Sequence, residues 1–474
     1  MARPFFEIVQ RIAFLAALSL LIVTALLGRE LASVQQQPSD RVRAHLERAL
    51  RLEQQGKWEE AFRELKKAVR LDPLSAEAHY GLGVSLYWTR QWQDAVKALR
   101  EAIRLAPELA EAHYFVALSL QKLGRLDAAI RHFELAITYG ANIAEAHHSL
   151  GLALRELGDY SGALQAFREA IRLKPDFLQA HNSLGLALLR AGDHQAAVST
   201  FRDLIARHPD YQSAKHNLAV AYMEQGDPRS AERVYREILR VDPSNAVLVY
   251  NLGMALKEQD RLEQASLQFQ RALRLKGDFP EAAYSLGFTL WQQGKSEDAA
   301  SWIKRAIRVR PDYAEAHFTL GSISRERGDL ESAIGALQKA VSIQPRFPEA
   351  HYSLGLALRQ QGEIKQALEQ IHIAEEQRQQ KAAAEAATFM TFSGIKSMEE
   401  DDLAGALQAF RSAVQRASDY APAYYQLSLA LERLGRKEEA SRALDEAEAL
   451  DPELRLSRST LGLRAWMQAK WSEP

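Results

Sequence analysis

The amino-acid sequence predicts an all-α protein, a right-handed α-solenoid of about twelve helix–turn–helix repeats preceded by an N-terminal hydrophobic helix. Two observations carry this prediction. Similar sequence motifs recur every 34 residues over most of the chain, and one uncharged apolar segment precedes the first repeat. A fixed period of this length is typical of proteins built from stacked supersecondary units.

The composition narrows the classes of function. Of the 474 residues, 47% are hydrophobic and 26% are charged, which is normal for a soluble fold. Sixty basic residues balance 61 acidic ones, so no nucleic-acid partner is predicted. Cysteine is absent, which excludes disulfides, cysteine-ligated zinc and a cysteine nucleophile.

Residues 1–28 form a separate element. Arg3 and Arg11 precede a run of sixteen uncharged residues, 12–27. This run is slightly longer than the apolar core of a signal peptide and slightly shorter than a membrane-spanning helix. We expect an uncleaved signal-anchor, a transmembrane segment that leaves the repeats outside the cytoplasm, in the periplasm. The alternatives are secretion after signal cleavage and a repeat domain that faces the cytoplasm. Residues 29–41 are expected to form a polar linker.

The repeats begin at Val42. The text "AEAHYGLG" at residues 76–83 returns as "AEAHYFVA" from Ala110, "AEAHHSLG" from Ala144 and "PEAHYSLG" from Pro348, all in one 34-residue frame. The pattern recurs in register ten times, and the tenth copy ends at about Lys381. The sequence therefore predicts ten repeats over residues 42–381.

Each repeat has the same internal order. An apolar-periodic stretch of about twelve residues is followed by a glycine turn, as at Gly158-Asp159 and Gly192-Asp193, and then by a second helical stretch. Glycine can end a helix in the left-handed conformation, and aspartate can cap the next helix. Proline closes most repeats, as at Pro175, because it cannot continue a helix.

This pattern resembles the tetratricopeptide repeat, a 34-residue helix–turn–helix family. In the repeat that starts at Ala144, the family's positions are filled by His147, Leu150, Gly151, Leu154, Ala163, Phe167, Ala170 and Pro175. The resemblance implies a solenoid whose first helices line a concave, peptide-binding groove. An N-terminal anchor followed by such repeats is similar to bacterial envelope-assembly scaffolds.

The frame slips after Ile371. Residues 382–420 are expected to hold this slip and a degenerate repeat, in which Gly394, Ala406 and Phe410 keep the pattern. Residues 421–454 form a regular repeat again. The last stretch, 455–474, is expected to be a capping helix that covers the exposed end of the solenoid.

The recurring histidine invites a metal or acid–base interpretation, which the period argues against. Equivalent positions in neighbouring helices lie about 8–10 Å apart, whereas zinc ligands lie about 2 Å from the metal. Glu77 and His79 recur together from repeat to repeat, as scaffold residues do. We therefore predict a structural histidine, no metal, no cofactor, no catalytic residues and no enzyme activity in this chain.

A ligand is expected on the face of each first helix opposite the recurring histidine. Positions 2, 5, 9, 12 and 13 of the helix share this face. The predicted peptide-groove residues are Tyr80, Tyr87, Trp88, Tyr114, Lys122, Arg155, Arg190, Tyr250, Lys257, Tyr284, Trp291, Phe318, Arg325, Tyr352 and Arg359. Tyrosine offers a large amphipathic contact, and arginine pairs with carboxylates. The alternative is that positions 5 and 9 mainly pack against the next repeat.

The predicted function is a non-enzymatic protein–protein interaction scaffold that binds partner polypeptide segments in the groove and assembles an envelope complex. The partner proteins are not identified by the sequence, and the membrane is contacted through the N-terminal segment. One alternative is a regulatory or substrate-recruiting subunit of an enzyme that acts in trans, such as a glycosyltransferase. Another is a structural homo-oligomer joined through its terminal repeats.

Overall fold

A computed structural model describes residues 40–140 and 143–451, and every regular secondary-structure element within them is an α-helix. The predicted anchor at 1–28, most of the predicted linker and the predicted capping helix at 455–474 lie outside the described residues. Within residues 40–140 and 143–451, no helix is both long and apolar enough to cross a membrane. The first described helix begins at Asp40, two residues before the predicted start of the repeats.

The chain divides into two compact units. Within the described residues, the first unit holds 40–140, 143–157 and 165–177. Its helices are α1 (Asp40–Gln54), α2 (Trp58–Leu71), α3 (Ala76–Trp88), α4 (Trp92–Leu105), α5 (Ala110–Lys122), α6 (Leu126–Thr138) and α7 (Ala144–Leu157). Helix α8 (Tyr160–Leu173) has residues in both units.

The second unit holds 158–164 and the described residues from Leu178 onwards. Its helices are α9 (Leu178–Arg190), α10 (His194–Arg207), α11 (Gln212–Glu224), α12 (Pro228–Val241), α13 (Ala246–Lys257), α14 (Leu262–Leu275), α15 (Pro280–Gln292), α16 (Ser296–Val309), α17 (Ala314–Glu326), α18 (Leu330–Ile343), α19 (Pro348–Gln361), α20 (Ile364–Glu399), α21 (Leu403–Arg416), α22 (Ala421–Arg433) and α23 (Lys437–Leu450).

The turns between the two helices of a repeat follow the residues that the sequence places there. Gly192 has a φ of +80°, which is the left-handed conformation that ends a helix without steric cost for glycine. The next residue, Asp193, accepts a hydrogen bond from the backbone N–H of Ala196 at 3.0 Å and so caps α10. Arg90 and Asp260 adopt the same left-handed conformation in turns that have no glycine.

The core of each repeat lies between its first and second helix. A glycine on the first helix lets a large side chain of the second helix approach its backbone. A Cβ atom added at Gly151 would lie 2.6 Å from the Phe167 ring, and one added at Gly253 would lie 2.6 Å from the Phe269 ring. Both phenylalanines are fully buried. The small and large positions of the repeat are therefore complementary halves of one contact.

Helix α20 departs from the two-helix pattern because it is 36 residues long and has no interruption. Its N-terminal part packs on α19 and its C-terminal part packs on α21. Gly394 lies against the Phe410 ring, in the same way that other first helices meet their second helices. The tenth and eleventh repeats therefore share one continuous helix, and residue 381 lies inside it.

Candidate functional site

The recurring histidines bind the backbone of the preceding turn. His79, His113, His317 and His351 each donate a hydrogen bond from Nε2 to the carbonyl oxygen of the proline six residues earlier, at 3.0–3.1 Å. Each bond ties the start of a first helix to the end of the preceding repeat. Within the described residues, no group of three histidines or acidic residues could hold a metal ion. The geometry gives these histidines a structural role.

In the first unit, two of the predicted groove tyrosines are buried. Tyr80 is 6% exposed and Tyr87 is 7% exposed. Both rings meet Phe115 of the next first helix edge-on, with centroids 6.2 and 5.6 Å apart. Trp88 stacks on Trp58 at 5.3 Å. The two tyrosines fill the space between repeats and offer little surface to a ligand, whereas Trp88 is partly exposed.

Tyr114 is also a packing residue. Its hydroxyl lies 3.2 Å from the Ser149 hydroxyl on the following first helix, and burial raises its pKa to about 12. Its ring lies against Phe133. Of the neighbouring predicted groove residues, Lys122 is exposed and Arg155 is half-buried.

The second unit repeats this contact at position 5 of the first helices. The Tyr250 hydroxyl lies 3.4 Å from that of Ser285, and the Tyr284 hydroxyl lies 3.4 Å from that of Thr319. Burial raises the pKa of Tyr284, and its ring lies 5.0 Å from Tyr313 in the following turn. These tyrosines join successive repeats, as the packing alternative expects, although both remain partly exposed.

The other predicted groove residues of the second unit are spread over three repeats. Phe318 is partly exposed and contacts Phe347 at 5.1 Å, and Tyr352 is 37% exposed beneath the guanidinium of Arg378. Arg190 and Arg359 are exposed.

A group of partly exposed aromatic and cationic side chains lies on α13, α15 and α17. We call it the aromatic–cationic face and define it by Lys257, Tyr284, Phe288, Trp291 and Arg325. The ammonium of Lys257 lies 5.5 Å from the centre of the Phe288 ring. That ring contacts Tyr284 at 6.1 Å and Trp291 at 5.9 Å. All five side chains are partly exposed.

Charges border this face on one side. The indole N–H of Trp291 donates a 2.7 Å hydrogen bond to the Glu326 carboxylate, which fixes the edge of the indole. Lys257 approaches Glu258 only to 3.8 Å. Within residues 40–140 and 143–451, no ion pair is described for the Arg325 guanidinium. The face therefore combines a ring surface with a cation that is open to a carboxylate.

Phe288 was not among the residues that the sequence selected, although it stands at the centre of the face. It occupies position 9 of its first helix, where other repeats carry mainly aliphatic residues. An aromatic residue at this position in a single repeat was the signal that could have identified it.

Tetratricopeptide repeat models match most of the described chain. Five family models, described as tetratricopeptide repeat or TPR repeat, match residues 46–88, 76–109, 110–139, 148–212, 188–247, 222–274, 250–308, 321–362 and 397–458. The chain belongs to the tetratricopeptide repeat (TPR) family. The family and the all-helical repeat fold expected from the sequence are thus confirmed.

Solved structures of TPR proteins resemble parts of the chain. MamA is 28% identical, covers 35% of this chain over 96% of its own, and has a TM-score of 0.33. YrrB, described as a TPR protein with an unusual peptide-binding site, is 20% identical over 41% of this chain and 97% of its own, at 0.36. A TPR protein from Parabacteroides merdae is 19% identical over 53% of this chain and 100% of its own, at 0.40. No curated protein matches significantly.

TPR proteins bind other proteins in general, and the fold is typically non-enzymatic. Membership of the family supports a protein-interaction scaffold. In repeat proteins of this kind the binding surface is extended, because each repeat contributes one helix to it. The positions of the ligand-contacting residues remain the prediction made from the sequence.

Proposed function

We propose that this TPR protein is a non-enzymatic scaffold that holds a segment of a partner protein on the aromatic–cationic face. The observation that carries the proposal is the contact of Phe288 with Lys257 and Trp291, which leaves all three side chains partly exposed. Large aromatic side chains and arginine dominate the energy of protein interfaces. A patch of this kind is a better binding surface than the buried rings of Tyr80 and Tyr87.

The bound segment is an extended or helical peptide with an apolar or aromatic anchor next to an acidic side chain. The anchor packs on the Phe288 ring and the indole of Trp291. The acidic side chain pairs with Arg325, whose planar guanidinium can form two parallel hydrogen bonds with a carboxylate. The Lys257 ammonium, which already lies over the Phe288 ring, adds a second positive charge at the rim.

The scaffold is proposed to act at a membrane, where residues 1–28 anchor it and the repeats assemble a complex of the cell envelope. The uncharged run at 12–27 supports this location. Protease treatment of intact cells and of spheroplasts tests it. An extracytoplasmic repeat domain is digested once the outer barrier is opened, whereas a cytoplasmic one is digested only after lysis of the inner membrane.

Binding is tested with the full chain, purified from solubilised membranes together with its partners. In the double variant Phe288→Ala with Arg325→Glu, the amount of at least one co-purifying protein is expected to fall by about tenfold or more. Phe288 is preferred to Tyr284 because Tyr284 contacts Thr319 and Tyr313 and its loss would disturb the repeat packing. The control is Leu267→Ala with Arg308→Glu, which replaces one large apolar residue and one arginine on second helices of the same unit.

Equal capture by both double variants would refute the face as the binding site. The identity of the captured protein separates the alternatives. A captured transferase would favour a recruiting subunit that acts in trans, and capture of only a second copy would favour a structural homo-oligomer.

A further inference from the structure

Helix α20 exposes large apolar side chains at both ends. Phe389 is 77% exposed, Leu368 63%, Ile364 53% and Phe392 48%. These are among the most exposed large apolar side chains of the described residues. Scattered exposed apolar residues are common, whereas large ones that share one face of a helix favour an interaction surface.

The continuity of the helix explains why Phe389 is uncovered. In the second repeat the equivalent residue, five places before the packing glycine, is Ala78, which is fully buried against Ala68 of the preceding second helix. In the eleventh repeat the packing glycine is Gly394 and the equivalent residue is Phe389. Here the preceding second helix runs directly into the first helix, so it cannot fold back over this position.

Eight of the exposed residues of α20 form one stripe, at steps of three or four residues apart from a single step of seven. The stripe contains Ile364, Leu368, Glu375, Arg378, Ala382, Glu385, Phe389 and Phe392, all of them exposed. Steps of three and four are the spacing of a coiled-coil seam, which keeps one face of a helix towards a partner helix. The stripe is apolar at both ends and charged in the middle.

The stripe is symmetric about its centre. Ile364 and Phe392 each lie fourteen residues from Arg378, and Leu368 and Phe389 lie ten and eleven residues from it. If a second copy of α20 runs antiparallel across this centre, Phe389 and Phe392 of each copy meet Leu368 and Ile364 of the other. A closed dimer requires this self-complementary arrangement, in which residue i contacts residue j and the reverse.

The charges near the centre obey the same symmetry. Glu375 and Glu376 precede Arg378 by two or three residues, and Lys381 follows it by three. An antiparallel copy therefore brings acidic residues of one helix near basic residues of the other. A parallel copy would instead place Glu375 beside Glu375 and Lys381 beside Lys381, which is unfavourable.

We propose that α20 is a dimerisation helix, and that its exposed stripe pairs antiparallel with the same stripe of a second copy of this chain. The proposal is independent of the aromatic–cationic face. It differs from association through the terminal repeats, because the contact lies at the junction of the tenth and eleventh repeats. A dimer of this form presents two copies of the aromatic–cationic face.

The mass of the full chain in detergent, measured by sedimentation velocity at micromolar concentration, tests the proposal. The wild-type protein is expected to have twice the mass of one chain. Phe389→Glu with Leu368→Glu is expected to give single chains, or at least a hundredfold weaker dimer, because it places charges at both apolar ends. The control Leu267→Glu changes an equally exposed leucine, 59% exposed, on α14 and should leave the dimer intact. Circular dichroism checks that the variants keep their helix content.

Crosslinking locates the contact independently of any loss of folding. Because the chain has no cysteine, Arg378→Cys introduces a unique thiol next to the expected symmetry axis. A short bismaleimide should link two Arg378→Cys chains in high yield and two Leu267→Cys chains only at background level. Single chains at all concentrations, a dimer unaffected by Phe389→Glu with Leu368→Glu, or equal crosslinking of the two cysteine variants would each overturn the proposal. If the stripe binds a different protein instead, the purified chain without that protein would have the mass of a single chain.

Discussion

The Nε2 atom of His351 donates a 3.0 Å hydrogen bond to the carbonyl oxygen of Pro345, six residues earlier. The other ring nitrogen of His351, Nδ1, lies 2.7 Å from Gln370 Oε1 on the second helix of the same repeat. One imidazole thus connects the end of the ninth repeat to both helices of the tenth. The same bond to a proline carbonyl recurs at His79, His113 and His317.

Replacement of His351 by leucine is expected to destabilise this junction. The Pro345 carbonyl loses one of its two donors, since Gln377 Nε2 also donates to it at 2.8 Å, and a typical hydrogen bond contributes about 1 kcal/mol. Hydrogen exchange of residues 345–355 measures the effect as faster exchange. The control is His372→Leu on the exposed side of α20, which should leave the exchange unchanged. Equal protection in both variants would contradict the structural role of His351.

Most of the fold could be predicted from the sequence because its signals are local. The adjacent residues Gly192 and Asp193 are enough to predict a turn. Gly253 lacks a side chain, which allows the Phe269 ring to pack directly on the backbone of its helix. The structural role of the histidine also followed from its repetition. Its partner, the proline carbonyl, did not, because that contact requires the geometry of the turn between repeats.

The candidate site was harder to predict because exposure depends on residues of the next repeat. The sequence gives Tyr80 and Tyr284 equivalent positions, yet Phe115 helps to cover Tyr80, whereas Tyr284 stays partly open beside Phe288. The 34-residue frame assigns each residue to a face of its helix. It does not say how large the neighbouring side chains are once the repeats stack.

Gly253→Ala is expected to destabilise the seventh repeat by about 1–3 kcal/mol. The added methyl group would lie 2.6 Å from the Phe269 ring, which is fully buried. The midpoint of urea unfolding should fall. Shortening the opposing side chain, as in Gly253→Ala with Phe269→Leu, should recover part of the loss. A midpoint equal to that of the wild type would show that the helices separate more easily than their packing indicates.

Gly335→Ala is expected to have the opposite effect. Gly335 lies in the interior of α18, is exposed, and has no atom within 4 Å of an added Cβ. Alanine there removes the entropic cost of glycine in a helix, which is worth about 0.5–1 kcal/mol. The urea midpoint should therefore rise. A fall would mean that this face of α18 has a partner in the folded protein.

Glu53 is expected to make the first two repeats less stable as the pH rises. Glu53 is 6% exposed, and burial raises the pKa of its carboxyl group to about 7, although the Ser85 hydroxyl donates a 3.1 Å hydrogen bond to that group. Below the unfolded pKa of about 4.5 both states are protonated and no penalty exists. Between pH 4.5 and pH 7 only the folded state keeps the proton on Glu53, so the free energy of unfolding falls as the pH rises. Above pH 7 the loss is complete and is on the order of 3 kcal/mol.

Glu53→Gln removes this titration. Protection factors of amides in residues 40–105 should exceed those of the wild type at pH 8 and match them at pH 4. Ser85→Ala is a useful second variant because it removes the hydrogen bond and leaves the buried carboxyl group in place. A wild-type protein whose protection in this region does not change from pH 4 to pH 8 would exclude a raised pKa at Glu53.

His132 is expected to give the opposite pH dependence in the third repeat. Burial lowers its pKa to about 4, and His113, Arg100 and Arg131 add smaller effects of the same sign. The ring nitrogens Nδ1 of His113 and His132 lie 3.1 Å apart. Because His113 Nε2 already donates to the Pro107 carbonyl, Nδ1 of His113 is left as the acceptor and the neutral His132 ring donates there.

The stabilising effect of the neutral His132 ring is complete above its unfolded pKa of about 6.5. It is lost as the pH falls towards 4, because the unfolded chain binds a proton that the folded chain binds only near pH 4. His132→Gln, which cannot titrate, should flatten the decline of protection in residues 110–138 between pH 7 and pH 4. His372→Gln, at an exposed position, should leave that decline unchanged. If the decline persists in His132→Gln, another group must take up the proton, and the pair with His113 is not the cause.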